Sequence, residues 1–194
     1  VDAQVVIGTF GSQEWAELAL ERAIPSAPGA IHVHGDTLAE ARNEGLAQVT
    51  SPWVIFLDAD DELAPNYIEA MATGTADLRA PAVRYVRGSR TQDPYVPQVA
   101  GHSHACSAPC LEEGNWLVIG TALRADLARE VGGFREWEVY EDWDLFLRCY
   151  LLGATVEAIP SAVYTAHVRP DSRNRAPSIE VKNRIHHEIV KAIG

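Results

Sequence analysis

The feature that most limits what this chain can fold into is the stretch Trp53-Val-Ile-Phe-Leu-Asp-Ala-Asp-Asp-Glu-Leu63. Trp53 to Leu57 are β-forming, apolar and uninterrupted, which reads as a short strand buried on both faces, as in the middle of a parallel sheet. Asp58, Asp60, Asp61 and Glu62 follow at once. In open α/β sheets the C-terminal edge of the strands is where ligands bind. Carboxylates two residues apart at that edge can converge on a hard divalent cation through oxygen. The same acids also suit the positive N-terminus of a following helix.

The preceding sequence supplies partners for such a strand. Gln4 to Phe10 is an apolar run closed by Gly11-Ser12, a first strand and its exit loop. A helical pattern over 13–24 ends at Pro25 and Pro28-Gly29, and Ala30 to His34 reads as a second short strand. This β-α-β order implies an α/β protein with a mostly parallel sheet between helices. In the helix after Asp36, Thr37 and Glu40 have the spacing of a capping box. Stepping 100° per residue places Leu38, Ala41, Gly45, Leu46 and Val49 on one face together with Arg42, and a guanidinium on the buried face needs a partner.

Beyond Leu63, Pro65-Asn66 opens a short helix reaching about Thr73, and Leu78 to Arg87 reads as a strand. Gly88 to Gly114 is polar and rich in Pro and Gly, long enough for a functional loop. An apolar run over 116–123, a helix over 124–131 stopped by Gly132-Gly133, and a helix over 141–152 that is apolar nearly all round follow. Two strands over 155–159 and 162–167 flank Pro160-Ser161, an arginine-bearing loop follows, and a final helix over 178–193 carries Ile179, Ile185, Ile189 and Ile193 as a stripe.

The 194 residues suffice for one sizeable domain, and 47% hydrophobic with 22% charged residues is ordinary for a globular core. A net charge of −11 disfavours a nucleic-acid partner. No apolar run is long enough to span a bilayer and no leader pattern opens the chain, so the expectation is a cytoplasmic protein without a transmembrane segment. Three cysteines make no disulfide framework. His102, His104, Cys106 and Cys110 could hold zinc or a Cys106–Cys110 disulfide, or belong to a plain loop. Glu141-Asp142 and Asp144 suit a helix start, with Asp144 read as a capping or surface acid, and His167 precedes Arg169, Ser172, Arg173 and Arg175.

Three segments, ARNEGLAQVTSPWVIFLDADDEL, VGGFREWEVYEDWDLFLR and HVRPDSRNR, resemble in order and spacing the main signatures of nucleotide-sugar glycosyltransferases of the GT-A fold, family 2. The resemblance runs from about Val5 to Arg175. It implies a Rossmann-like GT-A fold in a single domain over 1–194, with a nucleotide-binding half over 1–77, an acceptor and catalytic half over 78–177, and a C-terminal helix. It implies metal-dependent, inverting transfer from a nucleoside-diphosphate sugar, a UDP-sugar favoured, to an acceptor hydroxyl on a saccharide, protein or small molecule. Asp58 and Asp60 would form the DxD motif with Ala59 between them, Asp60 ligating Mn²⁺ or Mg²⁺ and Asp58 near the ribose or metal. His167 would complete that site and Arg173 would lie over the donor. Asp142 would be the general base and Glu141 would orient acceptor or base. Arg42 and Asn43 would line the donor pocket, with Thr9 and Phe10 bordering the nucleotide.

Two departures from the family pattern stand out. HVRPDSR replaces a shorter form nearer to HPGSR, and one β-α unit is missing before the Arg-Asn helix, where Asp36 stands in as the acid that reads the base. A catalytically inactive nucleotide-sugar or metal-binding module of the same fold is the alternative reading, and a zinc-dependent interaction loop over 88–114 a third.

Overall fold

The computed structural model describes residues 2–96, 111, 115–169 and 177–193. The zinc candidates His102, His104, Cys106 and Cys110, together with Ser172, Arg173 and Arg175, lie outside the described residues.

Strand β1 (Ala3–Phe10) is flanked by two parallel neighbours, β2 (Ile31–Gly35) and β3 (Trp53–Leu57). As its uninterrupted apolar sequence requires, β3 is interior, and Val54 to Leu57 are all but inaccessible. Its other edge takes β7 (Ala122–Arg124) antiparallel, and β7 pairs in turn with the start of β5 (Leu78–Arg87). Parallel to β5 runs β8 (Val156–His167), whose far edge carries the short β4 (Glu62–Leu63). A two-residue strand, β6 (Arg90–Thr91), folds back on the end of β5. The sheet is mixed: its long ladders are parallel and its short ones antiparallel.

Helix α1 (Gln13–Leu18), capped by the Ser12 hydroxyl, widens into a π-type turn over Ala19–Ala23 before a last turn, α2 (Ile24–Ser26), in which Pro25 is tolerated near the start. Helix α3 (Leu38–Gln48) packs on β1 and β2. Thr37 caps it by accepting from the Glu40 amide. Gly45 allows this approach, because a Cβ there would run into the side chain of Val6. Helix α4 (Tyr67–Met71) packs on β8, and α5 (Ala125–Glu130) packs against α6 (Glu141–Leu151). The last helix is α7 (Ile179–Ile193).

Several expectations are corrected. The strands expected around Pro160-Ser161 are one strand: Pro81 pairs with Ile159 and Ala82 with Val163, so Pro160, Ser161 and Ala162 bulge out of register. A bulge lets a proline sit inside a strand without costing a ladder hydrogen bond. Of the apolar run 116–123 only its end pairs, because the backbone turns at Val118–Thr121. On α7 Ile185 and Ile189 are buried while Ile179 is exposed at the first turn. Asp144 is neither a cap nor a surface acid; it is wholly buried and paired with Arg148, at 2.7 Å, one turn on. A helix apolar on nearly every side carries a wholly buried acid only with a matched base beside it.

Candidate active site

Strand β3 ends at Leu57 and releases Asp58, Ala59, Asp60 and Asp61 into a turn closed by a hydrogen bond from the Asp61 amide to the Asp58 carbonyl. Ala59 is buried, so the chain folds tightly here and the carboxylates of Asp58, Asp60 and Asp61 gather with ligand atoms within 4.8 Å of one another. Among the described residues this is the one acidic or imidazole group of three that could hold a metal ion. The donor set is hard oxygen throughout, the kind that Mg²⁺, Mn²⁺ or Ca²⁺ prefers. Its electrostatics also call for positive charge: burial and then the Asp58 charge push Asp60 up to about 6. Burial, Asp58 and Asp60 carry Asp61 well above the usual carboxylate range, against the hydrogen bonds that it receives.

Strand β8 holds Asp61 in place. Tyr164 donates its hydroxyl to one carboxylate oxygen at 2.6 Å, and the His167 amide donates to the other at 2.7 Å. Each oxygen keeps a further lone pair. His167 therefore reaches the triad through its backbone, while its imidazole Nε2 lies 2.6 Å from Glu62 Oε2. Glu62 reaches His167 because β4 pairs antiparallel with the end of β8, where Glu62 lies opposite Thr165 and diagonal to His167. Arg22, projecting from the π-type turn, donates to the Asp60 carbonyl at 2.8 Å.

Arg42 joins this turn to α6. Its guanidinium, 2% exposed as a residue, reaches Asp58 Oδ1 at 2.6 Å with one nitrogen and Glu141 Oε1 at 2.7 Å with another. Burial opposes its charge, but Asp58 and Glu141 outweigh burial and drive its pKa further up. The ring of Phe134 covers the guanidinium, with Cζ 5.0 Å from the ring centroid. Asn43 fixes that ring's backbone from both sides, donating to the Phe134 carbonyl at 2.9 Å and accepting from its amide at 2.8 Å. Gly133, at φ +71°, makes room for this clasp, since a Cβ would strike Asn43.

Helix α6 begins abruptly. Tyr140 takes a left-handed φ of 68°, rare for a bulky side chain and worth about 1–3 kcal/mol of strain. It turns the chain so that Glu141 and Asp142 enter the cavity in the first helical turn. Asp142 is half-buried, receives a hydrogen bond from Asn115 at 3.2 Å, and accepts from the Trp143 amide. Burial and the Glu141 charge raise it to about 7 although Arg42 pulls the other way. A carboxylate poised near neutral pH is suited to taking a proton.

These pieces line one cavity of about 340 Å³: Arg42, Asp58, Asp60, Asp61, Glu141, Asp142 and His167, together with Asn115, Trp116, Tyr85 and Tyr95. A neighbouring cavity of about 310 Å³ shares Glu141 and is lined by Phe10, Asp36, Thr37 and Trp137. Thr9 is buried behind it, its hydroxyl 3.0 Å from ring nitrogens of both His32 and His34. Asn43 contacts the protein backbone and lines neither cavity. Asn115, Tyr95 and Arg22 carry no motif; only the fold brings them here.

The profile of glycosyl transferase family 2 matches residues 13–122. The pre-mycofactocin glycosyltransferases of Mycobacterium tuberculosis, strains CDC 1551 and H37Rv, are 30% identical over 153 residues, 74% of this chain. The chain spans about a third (33%) of the length of these curated relatives. S. aureus TarS 1–349 in complex with UDP-GlcNAc superposes with a TM-score of 0.65 at 14% identity, over 95% of this chain and 65% of that one. Its complex with UDP gives 0.62 at 14% identity, over 99% and 65%. The fold is thus the GT-A arrangement expected from the motifs, and the chain belongs to glycosyl transferase family 2.

Proposed function

We propose that this chain carries out metal-dependent, inverting transfer of a sugar from a nucleoside-diphosphate sugar to an acceptor hydroxyl. The observation that carries the reading is the Arg42 bridge, which ties the acidic strand end to the residue beside Asp142 within one cavity. A donor diphosphate and an acceptor base are thereby held in one frame. The S. aureus TarS complexes with UDP-GlcNAc and UDP support a uridine donor.

Asp142 takes the proton from the acceptor hydroxyl, whose oxygen forms the new bond to the anomeric carbon as the bond to the departing nucleoside diphosphate breaks on the opposite face. Glu141, held by Arg42, orients the acceptor and keeps negative charge beside Asp142, which sustains its basicity. Asp60, Asp58 and Asp61 would hold Mn²⁺ or Mg²⁺, with the His167 ring a further ligand if it leaves Glu62. A divalent cation supplies neutralisation of the charge that develops on the leaving diphosphate. Phe10, Asp36 and Thr9 stand at the ends of β1 and β2, where the nucleoside would rest. The acidic balance of the chain, −11, opposes a nucleic-acid acceptor. Among the described residues no helix is long and apolar enough to cross a membrane.

Thermal shift with UDP, GDP and TDP, with and without Mn²⁺, tests the donor site. Stabilisation that requires the metal and is largest for UDP is expected; no shift with any nucleotide would overturn the reading.

A further inference from the structure

We propose that the acceptor is a neutral saccharide, docked against the exposed ring of Tyr95 with a hydroxyl directed to Asp142. The inference rests on the transferase reading above for the identity of the attacking group, but its evidence lies in other residues of the cavity.

Tyr95 is 48% exposed, yet its backbone is pinned, because its amide and carbonyl both bond to Val83 on β5, at 3.0 and 2.8 Å. Tyr85, two residues along β5, lies almost parallel to it, with centroids 5.9 Å apart and planes at 23°. Their hydroxyls meet at 3.5 Å. Arg87 lies over the Tyr85 ring at 5.9 Å, so Tyr95 is the more accessible ring of the pair. A large exposed aromatic held rigidly at the edge of a polar cavity is an apolar surface with a polar tip. The C–H face of a pyranose matches it, with the sugar hydroxyls left free for polar groups around the rim.

Those groups are present. Trp116 lines the same cavity, and its indole N–H is buried without a hydrogen-bond partner among the described residues. A buried donor without a partner is costly in a folded protein, and a ligand oxygen would satisfy it. Asn115 adjoins it and holds Asp142. The charge of the cavity selects further. Asp58, Asp60, Asp61, Glu141 and Asp142 line the cavity with one guanidinium, Arg42, which is already bonded to two of them, while Arg22 and Arg169 offset Asp60 only in part. An anionic acceptor, whether uronate or phosphate-bearing, would be repelled.

Saturation-transfer NMR and titration with maltotriose, cellotriose and chitotriose, with trigalacturonate and a serine- and threonine-containing peptide as comparators, test this without donor present. Binding of at least one neutral trisaccharide is expected, with trigalacturonate and the peptide at least tenfold weaker. Tyr95→Ala should weaken that trisaccharide tenfold or more and Tyr95→Trp should restore it. Trp116→Phe, which removes the indole N–H together with its ring, should weaken it several-fold. Tyr95 is exposed, so these variants remain folded, as circular dichroism can verify. Preference for trigalacturonate or the peptide, absence of binding by all three neutral sugars, or indifference to Tyr95→Ala would overturn the proposal. Hydrolysis of UDP-sugar by the wild-type protein without acceptor reports on the donor reading alone, so the two can fail separately.

Discussion

Two groups of acids in this molecule, one wholly buried and one only partly, are compensated in opposite ways. Asp144 is wholly inaccessible and receives two hydrogen bonds from Arg148, at 3.0 and 2.7 Å, with Arg135 3.5 Å away. Arg148 spends its remaining donors on the carbonyls of Val131 and Gly133. Here charge is matched by charge, and the product is architecture: the Gly132-Gly133 turn is locked onto α6. At the end of β3, Asp58, Asp60 and Asp61 crowd together while Arg42 is divided between Asp58 and Glu141. Arg22 and Arg169 pull Asp60 back only in part. Charge that is matched builds the fold, whereas acids left short of cation are the feature on which the proposed metal site rests.

Breaking the matched pair should have the largest effect. Asp144→Ala strands the Arg148 charge and is expected to cost about 3–5 kcal/mol, read as a lower midpoint in chemical denaturation. A loss below about 1 kcal/mol would refute the description of Asp144 as half of a buried pair. Next, Asp142→Asn should reduce transfer by about 10²–10⁴-fold while the nucleotide-dependent thermal shift persists. Transfer at the normal rate would remove Asp142 as the base.

The unmatched cluster should respond in the opposite sense to Asp144. Asp60→Asn should abolish metal-dependent nucleotide stabilisation, yet make the metal-free protein more stable at pH 8. The sign follows from the raised pKa: the folded state holds the Asp60 proton more tightly than the unfolded chain. Stability is therefore lost as pH climbs from the ordinary aspartate value of 3.8 through about 6. Replacing the acid should recover on the order of 1 kcal/mol above that window, a gain seen by denaturant titration at pH 8 and absent at pH 4. A last test needs no substitution and is the wild-type pH profile. Because Asp142 must be unprotonated and sits at about 7, kcat/KM should fall about tenfold per pH unit below that value. A profile flat down to pH 5 would mean that Asp142 is not the base.

Much of this arrangement is legible in the sequence, and the reasons are local. The buried β3 follows from five consecutive apolar residues, the Thr37 cap from its spacing to Glu40, and the inward aim of Arg42 from the 100° step of a helix. What could not be read is whatever depends on residues distant in the chain. Arg42 meets Asp58 across 16 positions and Glu141 across 99, and no periodicity carries that information. Asp144 reads as a surface acid because acids are common in first turns; its burial depends on Arg148 together with the carbonyls of a turn that only the packing of α6 brings near. His167 reads as a ligand by motif, but the antiparallel pairing of β4 with β8 places Glu62 against its ring.

By itself, then, the sequence determined an α/β sheet with an acidic strand end, a second acidic pair on a buried helix, and an arginine that had to face inward. These properties are set by periodicity and by the cost of leaving charge in an apolar interior. Only the tertiary structure decided that one guanidinium answers both acidic segments, that Tyr164 and the His167 amide hold Asp61, and that Tyr95 and Trp116 line the same cavity. Those contacts belong to strand order and register, which arise from the packing of the whole sheet.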